Sequence, residues 1–199
     1  MDCNRRPTIL VHGLWNSSRV FDRLISTCGR DQVHLIAPDL PHQLGKTSLY
    51  ILAEELNRQI SLKVGNSCSI DLLGFSMGGL IARIWLQNFG GAARTNRYIS
   101  VGTPHRGTFT AQLCPGYLFK GIAQMKRGSA LLMELDENVE SLKTIDCLSF
   151  YCLFDLMTFP GWHAVIPIGE KVLVPVLTHK QLIINPISLN LLAKAVLKE

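Results

Sequence analysis

The feature that most constrains the fold is a glycine-rich turn between a strand-like run and a helix-like run. Residues 70–73 (Ile-Asp-Leu-Leu) are typical of a buried strand, residues 74–79 are Gly-Phe-Ser-Met-Gly-Gly, and residues 80–86 are typical of a helix. A strand-to-helix turn this sharp strains the backbone of its central residue. Glycines at positions 74 and 78 avoid the collisions that larger side chains would make there. The pattern predicts that Ser76 stands at the N-terminus of a helix, above the edge of a sheet.

The rest of the chain alternates between strand-like and helix-like segments. The predicted strands are 8–11, 33–37, 69–75, 98–101, 148–154 and 171–177, and the predicted helices are 47–64, 77–88 and 182–197. Continuous apolar strands separated by helices predict an α/β fold, with a mostly parallel sheet of about six strands and helices on both faces. Ligands bind outside the carboxyl ends of the strands in such sheets, so polar residues at those ends are the candidates for function.

Length and composition predict one domain over residues 1–199. Hydrophobic residues make up 47% of the chain and charged residues 18%, which excludes disordered and collagen-like proteins. No apolar run approaches the roughly 20 residues of a membrane-spanning helix. Residues 106–145 break the alternation with a mixture of glycine, proline, apolar and basic residues. We interpret this segment as a cap-like or lid-like insertion over the strand ends.

Charge gives weaker indications about partners. The net charge of +5 is spread thinly, and no basic run with interleaved aromatic residues indicates a nucleic-acid partner. Ordinary solubility charge explains the excess, and a weak, transient contact with anionic membrane surfaces is the alternative. Oligomeric state does not follow from the sequence.

The cysteines favour a reducing compartment. No two of them form a Cys-x-x-Cys pair, and free thiols fit their apolar surroundings better than a disulfide framework does. The six are Cys3, Cys28, Cys68, Cys114, Cys147 and Cys152. The first seven residues contain no apolar core of a signal peptide, so we expect a cytoplasmic protein.

Four motifs in this order resemble the small bacterial-type lipase and esterase group of the α/β-hydrolase superfamily. Residues 11–15 (Val-His-Gly-Leu-Trp) resemble its oxyanion loop, and residues 37–41 (Ala-Pro-Asp-Leu-Pro) resemble the loop after its next strand. Residues 74–79 resemble its nucleophile turn, and residues 101–107 resemble a segment common in bacterial-type lipases. The resemblance covers nearly the whole chain. It implies a minimal α/β-hydrolase fold and a serine esterase or lipase with Ser76 as nucleophile.

A serine hydroxyl needs a base, and the family order implies that an acid and then a histidine follow the serine. His179 comes after the strand-like residues 171–177, which places it at the carboxyl end of a strand and makes it the preferred base. His163 and His105 are the alternatives. We expect His105 to hold its own loop by hydrogen bonds.

The acid should also follow a strand. Asp155 comes directly after the predicted strand 148–154, and the interval to His179 admits one loop and one strand, so both side chains return to the same sheet edge. Its carboxylate would fix the imidazole tautomer and stabilise the imidazolium. Asp146 is the rival, but it precedes the strand.

The oxyanion of ester hydrolysis needs two backbone N–H donors. Met77, the residue after the nucleophile, supplies one, and the resemblance of the His-Gly-x loop assigns the other to Leu14. We expect His12 to brace that loop. The candidate substrate-binding side chains lie close to these motifs; they are Trp15, Phe109, Trp162 and Val165.

The sequence shows no metal-ligand spacing and no dinucleotide or phosphate-binding loop, so we expect no metal and no cofactor. The prediction is a serine carboxylic-ester hydrolase that acts on lipid-like acyl esters through Ser76, His179 and Asp155. Two alternatives stay open. One is an acyltransferase that uses the same three residues, and the other is a non-catalytic protein that binds a lipid or a partner.

Overall fold

The structure is a computed structural model that describes residues 6–29 and 33–198. Its strands are β1 (Thr8–Val11), β2 (Leu35–Ile36), β3 (Ile70–Phe75), β4 (Thr95–Val101), β5 (Asp146–Tyr151) and β6 (Glu170–Leu173). They form one sheet in the order β2-β1-β3-β4-β5-β6, and every neighbouring pair is parallel. The predicted six-stranded parallel sheet is therefore confirmed.

Helices cover both faces of this sheet, as predicted. The helices are α1 (Asp22–Cys28), α2 (Leu49–Val64), α3 (Met77–Asn88), α4 (Phe109–Gln112), α5 (Lys120–Gln124), α6 (Ala130–Glu137), α7 (Gln181–Ile184) and α8 (Pro186–Leu197). Buried residues of α2, α3 and α6 pack on one face. Buried residues of α1, α7 and α8 pack on the other. The apolar strands are buried between these two layers, which explains why they show no alternation of polar and apolar residues.

Element ends differ from the sequence-based expectations at three places close to the predicted site residues. Strand β5 ends at Tyr151, three residues earlier than predicted, and β6 ends at Leu173. The predicted helix 182–197 is two helices, α7 and α8, because Pro186 lacks an N–H and forces the residue before it out of the helical region. Asn185 has an extended backbone (φ −73°, ψ 136°), and its side chain accepts a hydrogen bond from the N–H of Ile187 to cap α8.

Residues 106–145 form two structurally different parts. The second part packs into the sheet core, since Leu131, Leu135 and Leu142 are buried against α3. The first part contributes side chains of residues 108–125 to the wall of a cavity at the carboxyl ends of the strands. The cap-like or lid-like role of residues 106–145 stays a prediction.

The prediction of free thiols is wrong for Cys68, which is disulfide-bonded. It holds for four cysteines of the described residues, namely Cys28, Cys114, Cys147 and Cys152. Cys3 lies outside the described residues. Because the inference of a reducing compartment depended on free thiols, Cys68 removes its support.

Across residues 6–29 and 33–198, each helix falls short of the length and apolar character needed to cross a bilayer.

Candidate active site

The strand order opens a crevice next to β1. The chain leaving β1 leads to α1 on one face of the sheet, whereas the chain leaving β3 leads to α3 on the opposite face. Neighbouring strands whose connections diverge in this way leave a gap at their carboxyl ends, where ligands bind in such sheets. Both predicted backbone donors, Leu14 and Met77, lie in these two connections.

Ser76 occupies the turn between β3 and α3 in a strained backbone conformation. Its φ of 55° and ψ of −126° lie in a region that residues with a side chain rarely adopt. The Ser76 N–H donates to the carbonyl oxygen of Val101 at 2.8 Å, and the Ser76 carbonyl accepts from the N–H of Gly79 at 3.0 Å. These two bonds hold the turn and place the side chain at the N-terminus of α3.

The glycines of this turn are required by close backbone approach. A Cβ on Gly78 would lie 2.1 Å from the carbonyl oxygen of Val11, and a Cβ on Gly74 would lie 2.4 Å from the Cα of Gly79. A Cβ on Gly13 would lie 2.9 Å from the Cβ of Ser76. The loop after β1 can therefore approach the serine only because these positions have no side chains.

We expect Gly78→Ala to destabilise the fold strongly, because the added methyl group meets backbone atoms of β1 that cannot rotate away. The expected loss is about 3 kcal/mol of unfolding free energy, or roughly 6–12 °C in Tm. Thermal unfolding followed by circular dichroism measures it. Gly116→Ala is the matched control, since its Cβ would meet only the Ala123 side chain, at 3.3 Å. Equal Tm values for the two variants would contradict the close approach.

Asp155 and His179 are directly bonded. Asp155 Oδ2 lies 2.6 Å from His179 Nδ1, and the carboxylate is buried, with 1% of the residue exposed. Its other oxygen accepts hydrogen bonds from the N–H groups of Met157 and Thr158, both at 2.9 Å. Because a carboxylate only accepts, the neutral imidazole carries its proton on Nδ1 and keeps the Nε2 lone pair free.

The ring of His179 is held from two further sides. The Phe75 ring lies tilted by 31° to it, with 4.9 Å between the ring centroids. Gly102, at φ 57°, lies so close that an added Cβ would be 2.9 Å from the ring carbon Cε1. Thr158 donates from its hydroxyl to the Gly102 carbonyl at 2.8 Å and so joins the Asp155 loop to this turn.

Ser76 and His179 line the same cavity, which has a volume of about 400 Å³. Within the described residues, the Ser76 hydroxyl has no hydrogen-bond partner. The rest of the wall is mainly apolar and comes from the loop after β1, from α4 and α5, from the loop after β5 and from α7. Its apolar side chains include Val20, Ala111, Ile122, Met125, Met157, Ile183 and Ile184.

The structure places the predicted substrate-binding residues unevenly. Trp15 lies on the cavity wall, as does the predicted backbone donor Leu14, whereas Phe109, Trp162 and Val165 do not. Phe109 points outward under the guanidinium of Arg127, which lies 4.5 Å from the ring centroid. Met77 is buried in the core. Sequence reasoning missed the wall residues of α4, α5 and α7, whose only signal is their position beside strand-end loops.

His12 fixes the loop after β1. Its Nε2 accepts a hydrogen bond from the N–H of Leu40 at 2.9 Å, so Nδ1 carries the proton and donates to the Gly13 carbonyl at 3.0 Å. A trans peptide points its N–H opposite to its carbonyl, so this bond also orients the N–H of Leu14. Burial lowers the pKa of His12 and keeps the ring neutral.

The rival acid and bases lie elsewhere. His163 is buried and its Nδ1 bonds the Gly107 carbonyl at 2.8 Å, while His105 is completely buried beside Tyr98. Neither lines the cavity. Both ring nitrogens of His105 lack partners among the described residues, which differs from the expected loop-holding hydrogen bonds. Asp146 begins β5 at the opposite sheet edge and pairs with Arg97.

Two buried histidines predict how stability changes with pH. Burial lowers the pKa of His12 and lowers that of His105 well below its usual range. Below about pH 6.5 the unfolded chain binds protons that the folded chain excludes, so the unfolding free energy falls as pH falls. Each residue contributes a slope of up to about 1.4 kcal/mol per pH unit. Urea unfolding between about pH 7.5 and 5.5 measures the slope.

His105→Gln is expected to reduce this slope, whereas His34→Gln, at an exposed position, is expected to leave it unchanged. A slope that survives His105→Gln at full size would assign the proton uptake to other groups.

Comparison with known proteins identifies the family. The model of the alpha/beta hydrolase family matches residues 8–165, which include the loop after β1, the Ser76 turn and Asp155. The chain belongs to the alpha/beta hydrolase family. No curated protein sequence matches it significantly.

Solved structures share the fold of this hydrolase-family chain. Aspergillus fumigatus lipase B superposes with a TM-score of 0.79 at 16% identity, covering 98% of this chain and 53% of that one. This chain thus spans about half the length of that lipase. The mature Bacillus licheniformis lipase BlEst2 has a TM-score of 0.74 at 15% identity over 96% of this chain and 92% of its own. An alpha/beta hydrolase from the metagenome of lagoon sediments has a TM-score of 0.72 at 20% identity, over 98% of this chain and 91% of its own.

Proposed function

We propose that the chain is a serine carboxylic-ester hydrolase that cleaves apolar, lipid-like acyl esters. The observation that carries the proposal is the 2.6 Å bond between Asp155 and His179 beside a strained serine turn, with Ser76 and His179 on the wall of one apolar cavity. Ser76 is the proposed nucleophile, His179 the base and Asp155 the acid that orients it.

The proposed reaction has two acyl-transfer steps. Ser76 Oγ attacks the ester carbonyl carbon while Nε2 of His179 takes the hydroxyl proton. The tetrahedral intermediate collapses, the bond to the alkoxy oxygen breaks, and the imidazolium gives its proton to the leaving alcohol. Water then attacks the acyl-enzyme with His179 again as base, which releases the carboxylic acid and restores Ser76.

The backbone N–H groups of Leu14 and Met77 are the proposed oxyanion donors. Met77 begins α3, so its N–H belongs to the first turn and has no partner within the helix. The bond from His12 to the Gly13 carbonyl supports the orientation of the Leu14 N–H. Donors held in place before the reaction lower the barrier by several kcal/mol, typically about 3 per donor.

The cavity supports an apolar acyl group as the substrate feature. A volume of about 400 Å³ suits a small-molecule ligand, and the wall offers mostly aliphatic and methionine side chains. In this proposal residues 108–125 form the cover over the acyl group.

A series of p-nitrophenyl esters from acetate to palmitate tests the proposal, together with mass spectrometry after reaction with a fluorophosphonate probe. We expect one probe adduct, located on Ser76, and higher kcat/KM for medium and long acyl chains than for acetate. Transfer of the acyl group to an added alcohol in preference to water would indicate an acyltransferase. No adduct and no turnover would favour a non-catalytic binding protein.

A further inference from the structure

Large exposed apolar side chains lie on the cavity wall or within a few residues of a wall residue along the chain. Trp15 lies on the cavity wall and is 61% exposed, and Met157 is a second wall residue that reaches solvent. We call the following six side chains the apolar rim: Trp15, Phe109, Leu113, Tyr117, Leu156 and Met157. Leu113 and Tyr117 are 90% and 82% exposed. Exposed apolar groups that cluster in this way mark an interaction surface.

Two hydrogen bonds join two of the segments that carry these side chains. The N–H of Phe109 donates to the Phe159 carbonyl at 3.2 Å, and the hydroxyl of Thr110 donates to the Met157 carbonyl at 3.0 Å. These bonds fasten α4 to the loop after β5. Leu113 directly precedes Cys114, a wall residue of the same cavity. The apolar rim therefore belongs to the carboxyl-end side of the sheet, where the cavity opens.

The segments that carry the apolar rim or line the cavity are cationic. Residues 14–20, 105–129, 153–168 and 174–185 contain one carboxylate, Asp155, which is buried and bonded to His179. The same segments contain six basic side chains, of which all but the half-buried Lys126 are exposed; they are Arg19, Arg106, Lys120, Lys126, Arg127 and Lys180.

The adjoining loop 39–48 adds one negative and one positive side chain, which leave the net charge of this side unchanged. Asp39 accepts two hydrogen bonds from Ser18. Lys46 on the same loop is exposed and offsets that carboxylate. Since the whole chain has a net charge of +5, its positive excess is concentrated on the side where the cavity opens.

We propose that this side of the molecule docks onto an anionic phospholipid bilayer, with the apolar rim inserted at the headgroup level. Aromatic and aliphatic side chains enter the interface, and basic side chains beside them pair with lipid phosphates. Arg127 over the Phe109 ring shows both features at one point, because its guanidinium stays at the apolar surface while its edge remains free to bind phosphate.

The charge selects this occupant over the other candidates. A second copy of the chain would bring two cationic faces together, which opposes self-association through this surface. An acidic protein would satisfy the basic side chains but would not account for apolar side chains as exposed as those of Leu113 and Tyr117. The inference goes beyond the proposed function, because docking is measured without catalysis.

Vesicle cosedimentation tests the proposal with the full chain. We expect vesicles of phosphatidylcholine and phosphatidylglycerol in equal parts to bind at least about tenfold more tightly than phosphatidylcholine alone. Raising NaCl from about 0.1 M to about 0.5 M should weaken binding several-fold. Tryptophan emission should shift to the blue on binding, because Trp15 leaves water. Ser76→Ala should bind like the unaltered chain, so failure of the proposed catalysis leaves this test intact.

Matched variants separate docking from general effects. The double variant Leu113→Asp, Tyr117→Asp and the double variant Arg106→Glu, Arg127→Glu should each weaken binding at least about tenfold. Leu62→Asp and Lys63→Glu are the controls, since Leu62 is 72% exposed on the last turn of α2, which leads to the opposite sheet edge. They should change binding by less than about twofold.

Four results would overturn the proposal. The first is equal binding to both vesicle types, and the second is unchanged binding by both double variants. The third is a loss of binding in the controls equal to that in the double variants. The fourth is a concentration-dependent dimer that the double variants abolish. Circular dichroism shows whether each variant is folded, and the paired variants keep the test decisive if one of them does not fold.

Discussion

Ser76→Ala is expected to lower kcat for p-nitrophenyl esters by a factor of about 10⁴ to 10⁶, the range that loss of an activated serine produces. The covalent step disappears, because no other hydroxyl replaces Oγ at the strained turn. Fluorophosphonate labelling should be lost together with turnover. The measurement is kcat under saturating substrate, with intact mass after probe treatment.

The control for this variant is Ser141→Ala, which removes an exposed serine that bonds only the Asn138 carbonyl. We expect it to keep full activity and labelling. Alanine at position 76 also relieves none of the backbone strain, so Tm should change little. Turnover by Ser76→Ala at the rate of the unaltered chain would reject the proposed nucleophile.

Asp155→Asn is expected to lower kcat by about 10⁴ while the fold is retained. The amide oxygen can still accept from the N–H groups of Met157 and Thr158, which preserves the loop. The amide nitrogen then faces Nδ1 of His179 and donates to it. The ring proton moves to Nε2, and the imidazole can no longer accept the proton of Ser76.

Asp146→Asn is the matched control, because it makes the same chemical change at the rival acid. Asp146 bonds Arg97 on the neighbouring strand, far along β5 from the cavity, and we expect kcat to change by less than about twofold. Measuring kcat and Tm for both variants separates catalysis from stability. Equal losses in the two variants would reject Asp155 as the acid.

Much of the fold follows from the sequence because its strands are buried on both faces. Continuous apolar runs between helices have few alternatives to a parallel sheet, and the sheet brings strand ends that are distant in sequence to one edge. This rule selected Ser76, Asp155 and His179 as neighbours, and the structure bonds Asp155 to His179. Asp155 lies four residues after the end of β5 rather than directly after it as predicted, yet the loop still places its carboxylate beside His179.

The cavity wall could not be predicted in the same way. Helices α4 and α5 are four and five residues long, too short to produce a helical period, and whether Phe109 points inward or outward depends on packing across the molecule. Phe109 and Trp162 are aromatic residues near motifs, but neither lines the cavity. Likewise, the apolar surroundings of Cys68 favour a free thiol, and the sequence does not reveal its disulfide.

The break in the last helical segment has a consequence for altering substrate range. His179 lies two residues before α7, and Ile183 and Ile184 of that short helix line the cavity. The Ile184 carbonyl also accepts from Arg23 of α1, which anchors the segment. Substitutions that move α7 are therefore expected to move the proposed base His179 as well, so that changes in substrate selectivity at this wall also change the rate. The wall residues within 108–125 include none of the proposed proton-transfer groups, so substitutions there can reshape the cavity without moving those groups.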